Sequence, residues 1–297
     1  MKNKIVFLIL NYETYWETNK CIESIYHSIG RSNISSKAHE IVVVDNGSKN
    51  NSYTVLKENY ESVDGIHLLK LSDNLGFAKG NNYGFRYAKE RLAPDFIVMI
   101  NSDIIMTDSD FTMKLVKGFN RYQFAVAGPD IRLKSGHALN VCYTRCLNKK
   151  DVKKSIKSLK YKIILCKLKV EPIYAICQRI VRQLKPREEN FDRQTVLNLD
   201  MGEQLHGCFL IFSQMYIELF DGIYDKTFLY GEETLLRLRC KKAGLKICYL
   251  EDIKAIHNES RTEKWVNRGT IQRHLNRYIN MINSMEVISK YMDSDDL

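Results

Sequence analysis

Four short apolar runs, at residues 5–10, 41–44, 66–71 and 96–100, alternate with helix-like stretches at 17–29, 51–61 and 77–91. Runs of this length, apolar at successive positions, suit strands covered on both faces, and a helix between strands is the connection that parallel pairing requires. The rhythm therefore predicts an α/β domain built on a mostly parallel central sheet flanked by helices. In open sheets of this kind ligands bind beyond the carboxyl ends of the strands. Each of the four runs ends in a polar cluster: Asn11-Tyr12, Asp45-Asn46-Gly47-Ser48, Ser72-Asp73-Asn74-Leu75-Gly76 and Asn101-Ser102-Asp103.

These clusters carry the first chemical expectations. Asp45 can accept a hydrogen bond from a base imide N–H, with Gly47 permitting a sharp turn and Ser48 capping the next helix; a plain capped turn has the same composition. A carboxylate such as Asp103, just past a strand, suits a hard divalent cation that bridges two phosphates. The spacing Gly76-x3-Gly80-x3-Gly84 matches neither the dinucleotide fingerprint nor a Walker loop, so dehydrogenase and P-loop readings fail at their signatures.

Beyond residue 124 the alternation weakens. Residues 124–127 read as a strand and Gly128-Pro129-Asp130 as a turn, followed later by a strand at 208–212, a short helix at 214–220, a helix at 234–243 and a strand at 246–250. From 270 to 292 the apolar positions Leu275, Tyr278, Ile282, Met285, Ile288 and Met292 mark a long amphipathic helix, with 291–297 a frayed acidic tail.

The formal charge of +10 is confined to one place. Residues 149–187 carry +11, and the rest of the chain −1. Within that segment Ile156, Leu159, Ile163 and Val170, then Ile173, Cys177, Ile180 and Leu184, recur at helical spacing, which reads as two basic amphipathic helices broken at Glu171-Pro172. Such helices can lie on an anionic membrane surface, pack as an ordinary hairpin, or bind nucleic acid, although interleaved aromatics for base stacking are missing. The apolar run at 5–10 is shorter than the roughly 7–15 residues of a secretory core, so neither export nor a membrane span is expected. Eight scattered cysteines, including Cys142-x3-Cys146 with no second pair nearby, suit reduced thiols in the cytoplasm rather than a zinc site.

Phe228-Leu229-Tyr230-Gly231-Glu232-Glu233-Thr234 sets two adjacent carboxylates at the start of a helix that ends at Lys241-Lys242-Ala243-Gly244. Acids then lie at the positive end of the helix dipole and bases at the negative end, an arrangement that caps a helix and can also supply a general base. His257, after the following strand, can contact phosphate or complete a metal's coordination.

Taken in order, Ile9-Leu10-Asn11-Tyr12, Val43-Val44-Asp45-Asn46-Gly47-Ser48, Asn74-Leu75-Gly76-Phe77-Ala78-Lys79-Gly80-Asn81-Asn82, Met99-Ile100-Asn101-Ser102-Asp103, Gly207-Cys208-Phe209-Leu210-Ile211 and Gly231-Glu232-Glu233 with Arg237 and Gly244 resemble the family 2 glycosyltransferases of GT-A fold. The likeness covers about residues 4–130 and 200–260 and is nearest to bacterial rhamnosyltransferase-like enzymes that build O-antigen or capsular polysaccharide. It implies a Rossmann-like sheet with a basic helical insertion and a C-terminal helix. The donor-binding half would be 1–133, the insertion 134–200, the acceptor and catalytic half 201–262 and the extension 263–297.

The resemblance further implies that Asn11, Tyr12, Asp45, Asn74, Gly76, Asn81, Asn82 and Asn101 line a nucleotide-sugar pocket. Asp103, with His257, would hold Mg2+ or Mn2+ on the diphosphate. Glu233 would deprotonate the acceptor hydroxyl and Glu232 would orient the acceptor or the loop. Two departures from the family pattern leave points open: Glu replaces Asp as the second acid, and Asn101 stands where many relatives carry an acid. The expected partners are a UDP- or dTDP-sugar, a lipid-linked saccharide acceptor and an anionic membrane surface under residues 149–187, with no nucleic acid, on the cytoplasmic face of the cell membrane. The competing expectation is a non-catalytic protein of the same fold, recruited to membrane or nucleic acid through the basic insertion.

Overall fold

The apolar runs pair as the rhythm predicts, and those at 5–10, 41–44 and 96–100 are buried on both faces. In the computed structural model, residues 3–30, 38–168, 195–258 and 271–296 are described. The elements run β1 (Ile5–Asn11), α1 (Tyr15–Ile29), β2 (His39–Asp45), α2 (Ser52–Tyr60), β3 (Ile66–Lys70), α3 (Phe77–Tyr87, prolonged by a π-helical turn, Ala88–Leu92), β4 (Phe96–Asn101), β5 (Ile104–Met106) and α4 (Phe111–Tyr122). They continue with β6 (Val126–Leu133), β7 (Cys142–Tyr143), α5 (Lys149–Lys167), β8 (Glu203–Gln204), β9 (Phe209–Ser213), α6 (Gln214–Ile217), α7 (Glu232–Lys242), β10 (Ile247–His257) and α8 (Ile271–Asp293).

Eight strands form one sheet in the order β3-β2-β1-β4-β9-β6-β10-β5. The pairings among β3, β2, β1 and β4 are parallel, as is β6 with β10, whereas β9 is antiparallel to both β4 and β6, and β5 is antiparallel to β10. Reversal of β9 matters for function. Its start, not its end, lies at the edge where β1, β2 and β4 finish. One face of the sheet is covered by α1, α2 and α4 through Ile22, Ile25, Leu56, Phe111 and Leu115, the other by α3, α6 and α7 through Phe85, Tyr216, Leu236 and Cys240.

Three local expectations are corrected. Gly128-Pro129-Asp130 is not a turn: β6 runs through it, because the register of β6 with β10 shifts between Leu250 and Lys254, opposite Pro129, and a bulge tolerates a residue that cannot donate. That bulge also lets β10 continue past 250 to His257, where the exposed Glu251 and Asp252 hide the strand from a hydrophobic pattern. The tail is not frayed at Tyr291, which is buried, and Lys242 donates to the carbonyls of Tyr291, Ser294 and Asp296.

The basic segment is described in its first part only. Its first half is a single helix, α5, with Asn148 capping Asp151 N–H, and it packs along α8. Val152 and Leu159 are buried, and Ile156 packs against a small core shared by Leu235, Leu238, Ile288 and Tyr291. Val152, Ile156 and Leu159 are thus spent on the protein. The second half, with Ile173, Cys177, Ile180 and Leu184, lies outside the described residues. Among the described residues no helix is long and apolar enough to cross a membrane.

Candidate active site

The carboxyl edge of the sheet collects the polar strand ends. Asn11 and Asp45 are register partners at the ends of β1 and β2. Asn11 Nδ2 donates to Asp45 Oδ2 at 2.7 Å, and Thr18 Oγ1 donates to Asn11 Oδ1 at 2.9 Å. The Ser48 hydroxyl also donates to Asp45 Oδ2, at 2.7 Å, and its N–H to Oδ1 at 3.0 Å. Asp45 is only 1% exposed, so this network shapes the pocket wall from behind. Ser48, expected to cap α2, is instead committed to Asp45 and accepts the Glu13 N–H; Asn51 occupies the cap position.

Asn46, which no sequence expectation singled out, ties this wall to the next loop. Its amide donates to Asn74 Oδ1 and Gly76 O and accepts from Leu75 N–H, while Asn74 Oδ1 also takes the Gly76 N–H at 2.9 Å. Gly47 is obligatory beneath it. Its φ is +71°, and a Cβ would stand 2.4 Å from the carbonyl carbon of Asp73. Tyr12, just past the end of β1, is exposed, and Asn74 is partly so. Asn81 and Asn82 point elsewhere: Asn81 Nδ2 back-bonds to Phe77 O, and Asn82 exchanges two hydrogen bonds with the backbone of Ile223, at 2.7 and 2.9 Å. In this arrangement Asn82 clamps α3 to the chain before α7, while the Asn81 bond stays within α3.

On the other side of the edge stand the charged groups. Asn101 ends β4, with its N–H on Cys208 O, and Asp103 lies in the turn into β5. β10 brings His257 alongside: it pairs with Ile104, and the Asn258 N–H binds Asp103 O at 2.8 Å. His257 Nε2 is 3.3 Å from Asp103 Oδ2. The His206 ring, which sequence reading missed, lies 6.2 Å from that of His257, on the segment entering β9. No periodicity or spacing marks His206; only its position just before a strand end could have drawn attention.

Glu233 completes the edge. Its Oε1 accepts the Gly207 N–H at 3.2 Å, one residue before Cys208. Burial, then the charges of Asp103 and Glu233, push the Cys208 thiol well up. Burial and then Glu233 likewise push Cys142 up to about 12. Glu232 differs from its neighbour. It is 8% exposed and accepts from Thr227 Oγ1 at 3.1 Å, and burial, then the Glu233 charge, raise its carboxyl to about 7.

The loop that delivers these acids is held from three sides. Phe228 O accepts the Phe77 N–H at the start of α3, and the Phe228 ring and carbonyl stand where a Cβ on Gly76 would be, at 2.8 and 2.6 Å. Ser284 of α8 donates to Leu229 O at 2.9 Å, and the Arg277 guanidinium lies over the Tyr230 ring. Tyr230 and Gly231 both have positive φ, at 74° and 89°. Behind them Arg237, 2% exposed, donates to Leu199 O at 2.6 Å and Cys146 O at 3.3 Å, anchoring α7 to both ends of the β7–β8 region.

A pair of donors of mixed type, one carboxylate and one imidazole converging within 3.3 Å, fits a divalent ion that takes oxygen and nitrogen ligands. Among the described residues no three His, Cys, Asp or Glu side chains are disposed to hold an ion by themselves.

Comparisons with known proteins bear on the fold and the family. The model of glycosyl transferase family 2 matches residues 9–220. The low-salt glycan biosynthesis hexosyltransferase Agl10 of Haloferax volcanii is 22% identical over 260 residues, which is 87% of this chain and 68% of that protein. Among solved structures, S. aureus TarS 1-349 in complex with UDP superposes with a TM-score of 0.55 at 12% identity, over 98% of this chain and 71% of that one. The mannosyltransferase PcManGT from Pyrobaculum calidifontis, in complex with GDP-Man and Mn2+, gives 0.56 at 12% identity, over 98% and 70%. The likeness to the solved structures carries the fold, and the match across most of the chain carries the family: this protein belongs to glycosyl transferase family 2.

Proposed function

We propose that the protein is a metal-dependent inverting glycosyltransferase that moves a sugar from a UDP- or dTDP-sugar to a hydroxyl of a lipid-linked saccharide during cell-surface polysaccharide synthesis. The observation that carries this reading is that Asp103 and His257 meet at the sheet edge where β1 and β2 also end, and that Glu233 accepts the Gly207 N–H next to Cys208, whose carbonyl takes the Asn101 N–H at that edge. In this reading residues 1–133 present the donor wall and 201–262 the catalytic acids, with the described parts of 134–200 and 263–297, α5 and α8, bracing them.

Asp103 and His257 would hold the ion, the donor's phosphates supplying further ligands. Such an ion, when bound, neutralises charge on a departing diphosphate. The donor itself would lie between the Asn74–Gly76 loop, Tyr12 and Asn101, with Asn11 and Asp45 fixing the wall behind it. UDP in the TarS complex and GDP-Man with Mn2+ in the PcManGT complex support a nucleotide donor and a divalent ion.

A base must be ionised and reachable. Glu233 is the reachable one, because its carboxylate lies at the edge, on the Gly207 N–H, whereas Glu232 is buried, and burial, then the Glu233 charge, raise its carboxyl to about 7. Glu233 would take the acceptor hydroxyl proton as that oxygen attacks the anomeric carbon from the face opposite the leaving phosphate. Glu232 would instead fix the loop through Thr227. The acceptor's lipid and the basic segment 149–187 together favour a place on the cytoplasmic face of the membrane.

Glu233→Gln tests the assignment. Loss of a general base should cut transfer by about 10²–10⁴-fold while the dissociation constant of the donor nucleotide stays unchanged. Near wild-type turnover, or loss of nucleotide binding in step with transfer, would overturn it.

A further inference from the structure

β6 changes partners along its length. β9 accompanies it at Val126 and Ala127, which pair with Phe212 and Ile211. From Ile131 onward the returning chain takes that place, with the Leu139 N–H on Ile131 O at 2.8 Å and Ala138 bridged to Arg132. Pro129 falls in the gap between the two, with no N–H to give and a carbonyl in need of a donor. The Asn140 side chain fills the gap. Its Nδ2 donates to Pro129 O at 2.8 Å, and its Oδ1 accepts the His206 N–H at 2.6 Å. Asn140 is fully buried, and a Cβ on Gly128 would stand 3.1 Å from its Nδ2. No other side chain of this size offers a donor and an acceptor on one planar group, as a peptide does.

This bridge sets the short segment that leads into β9. The His206 N–H is taken by Asn140, the Cys208 N–H by the His206 ring at Nδ1, 3.4 Å away, and Cys208 O by the Asn101 N–H at 2.9 Å. The N–H between them, that of Gly207, goes to Glu233 Oε1. α7 fixes the backbone of Glu233, but three side-chain torsions separate that backbone from the carboxylate. Among the described residues the Gly207 N–H is the one hydrogen bond that the carboxylate accepts. The fit is close, since a Cβ at position 207 would stand 2.9 Å from the same Oε1.

We infer that Asn140 is a positioning residue for sugar transfer, which rests on the proposed role of Glu233: its amide holds residues 206–208 against β6 so that the Gly207 N–H seats the Glu233 carboxylate. A base acts only within hydrogen-bond reach of the proton it takes, and a supporting shell has to hold it to about 0.5 Å. Without the amide, Pro129 O and the His206 N–H are buried with no partner, so the segment must shift to satisfy them and the Gly207 N–H shifts with it.

The test uses two variants of the full chain. Asn140→Leu keeps the volume and removes both bonds; Asn140→Asp keeps the acceptor and removes the donor, and is the one to read should the first not be recovered folded. Crystals of the variants, which need no substrate, should show Glu233 Oε1 more than about 3.5 Å from Gly207 N, outside hydrogen-bond range. With UDP-glucose and UDP-GlcNAc as donor probes, Mn2+ present and water as acceptor, kcat for UDP release should fall about 10²-fold while the Kd of UDP stays within about twofold. In a Glu233→Gln background the same Asn140 change should cost nothing further, because two residues that act through one group are not additive. A carboxylate still seated on the Gly207 N–H in the Asn140 variants would overturn the inference. So would an equal fall in kcat in both backgrounds, which would make Asn140 a packing residue. A displaced carboxylate, with Glu233→Gln as active as wild type, would count against the proposed base alone.

Discussion

Replacing Glu232 by Gln should make the protein more stable above neutral pH, and the burial of this side chain sets the size of the effect. Burial first and the Glu233 charge second raise its carboxyl from 4.5 to about 7 in the folded protein. Between those values the native state binds a proton that the unfolded state has released, so stability falls as pH rises through the window. The cost of ionising Glu232 in place is nil below the lower value and reaches about 3 kcal/mol above the upper one. Gln is neutral and still offers an oxygen to Thr227, so E232Q avoids that cost. With roughly 2 °C or more per kcal/mol for a chain of this size, its melting temperature should exceed wild type by about 6 °C near pH 8 and match it near pH 5. Calorimetric melts across that range measure it directly. A variant that melts below wild type near pH 8, or that keeps the wild-type slope, would refute the burial argument. Transfer should survive in E232Q; its loss there, with retention in E233Q, would reverse the two roles.

Three further substitutions probe the frame around the site. Gly47→Ala combines a positive φ with a Cβ 2.4 Å from Asp73 backbone, so it should destabilise by about 2–5 kcal/mol, read by urea unfolding, and weaken nucleotide binding with it. Ser284→Ala removes the hydroxyl on Leu229 O and should cost about 1 kcal/mol of stability. It should also lower kcat more than it raises KM, and Ser284→Thr should restore kcat; equal loss in both variants would make Ser284 a packing residue only. Arg237→Met gives up two charge-assisted bonds to carbonyls but also a buried cation, so denaturant unfolding should show a net loss of about 2–4 kcal/mol.

The parallel half of the sheet was legible because β1, β2 and β4 are buried on both faces, and their apolar runs carry no competing signal. β6 was not, since Gly128-Pro129-Asp130 has the composition of a turn and only the bulge in a partner strand more than a hundred residues away permits it to stay extended. The same bulge concealed the strand that carries His257 to Asp103. α5 was legible as a basic helix, but which of its faces is buried depends on α8, a long-range contact that periodicity cannot supply. Within the site, strand-end position pointed to Asp45 and Asp103 from residue type alone. It did not reveal that Ser48 and Asn11 occupy the Asp45 carboxylate, that Asn82 is committed to Ile223, or that Asn46 and His206 belong to the edge.

The account stands on a donor diphosphate and its ion being gripped at the Asp103–His257 end of the sheet edge, facing Glu233. A crystal grown with UDP and Mn2+, with data collected at the manganese absorption edge, reports the ion's position directly. An anomalous peak within coordination distance of Asp103 Oδ2 and His257 Nε2, with the terminal phosphate turned toward Glu233, is the result expected. A peak bound elsewhere on the protein, with the Asp103–His257 pair left as an ion pair, would contradict it.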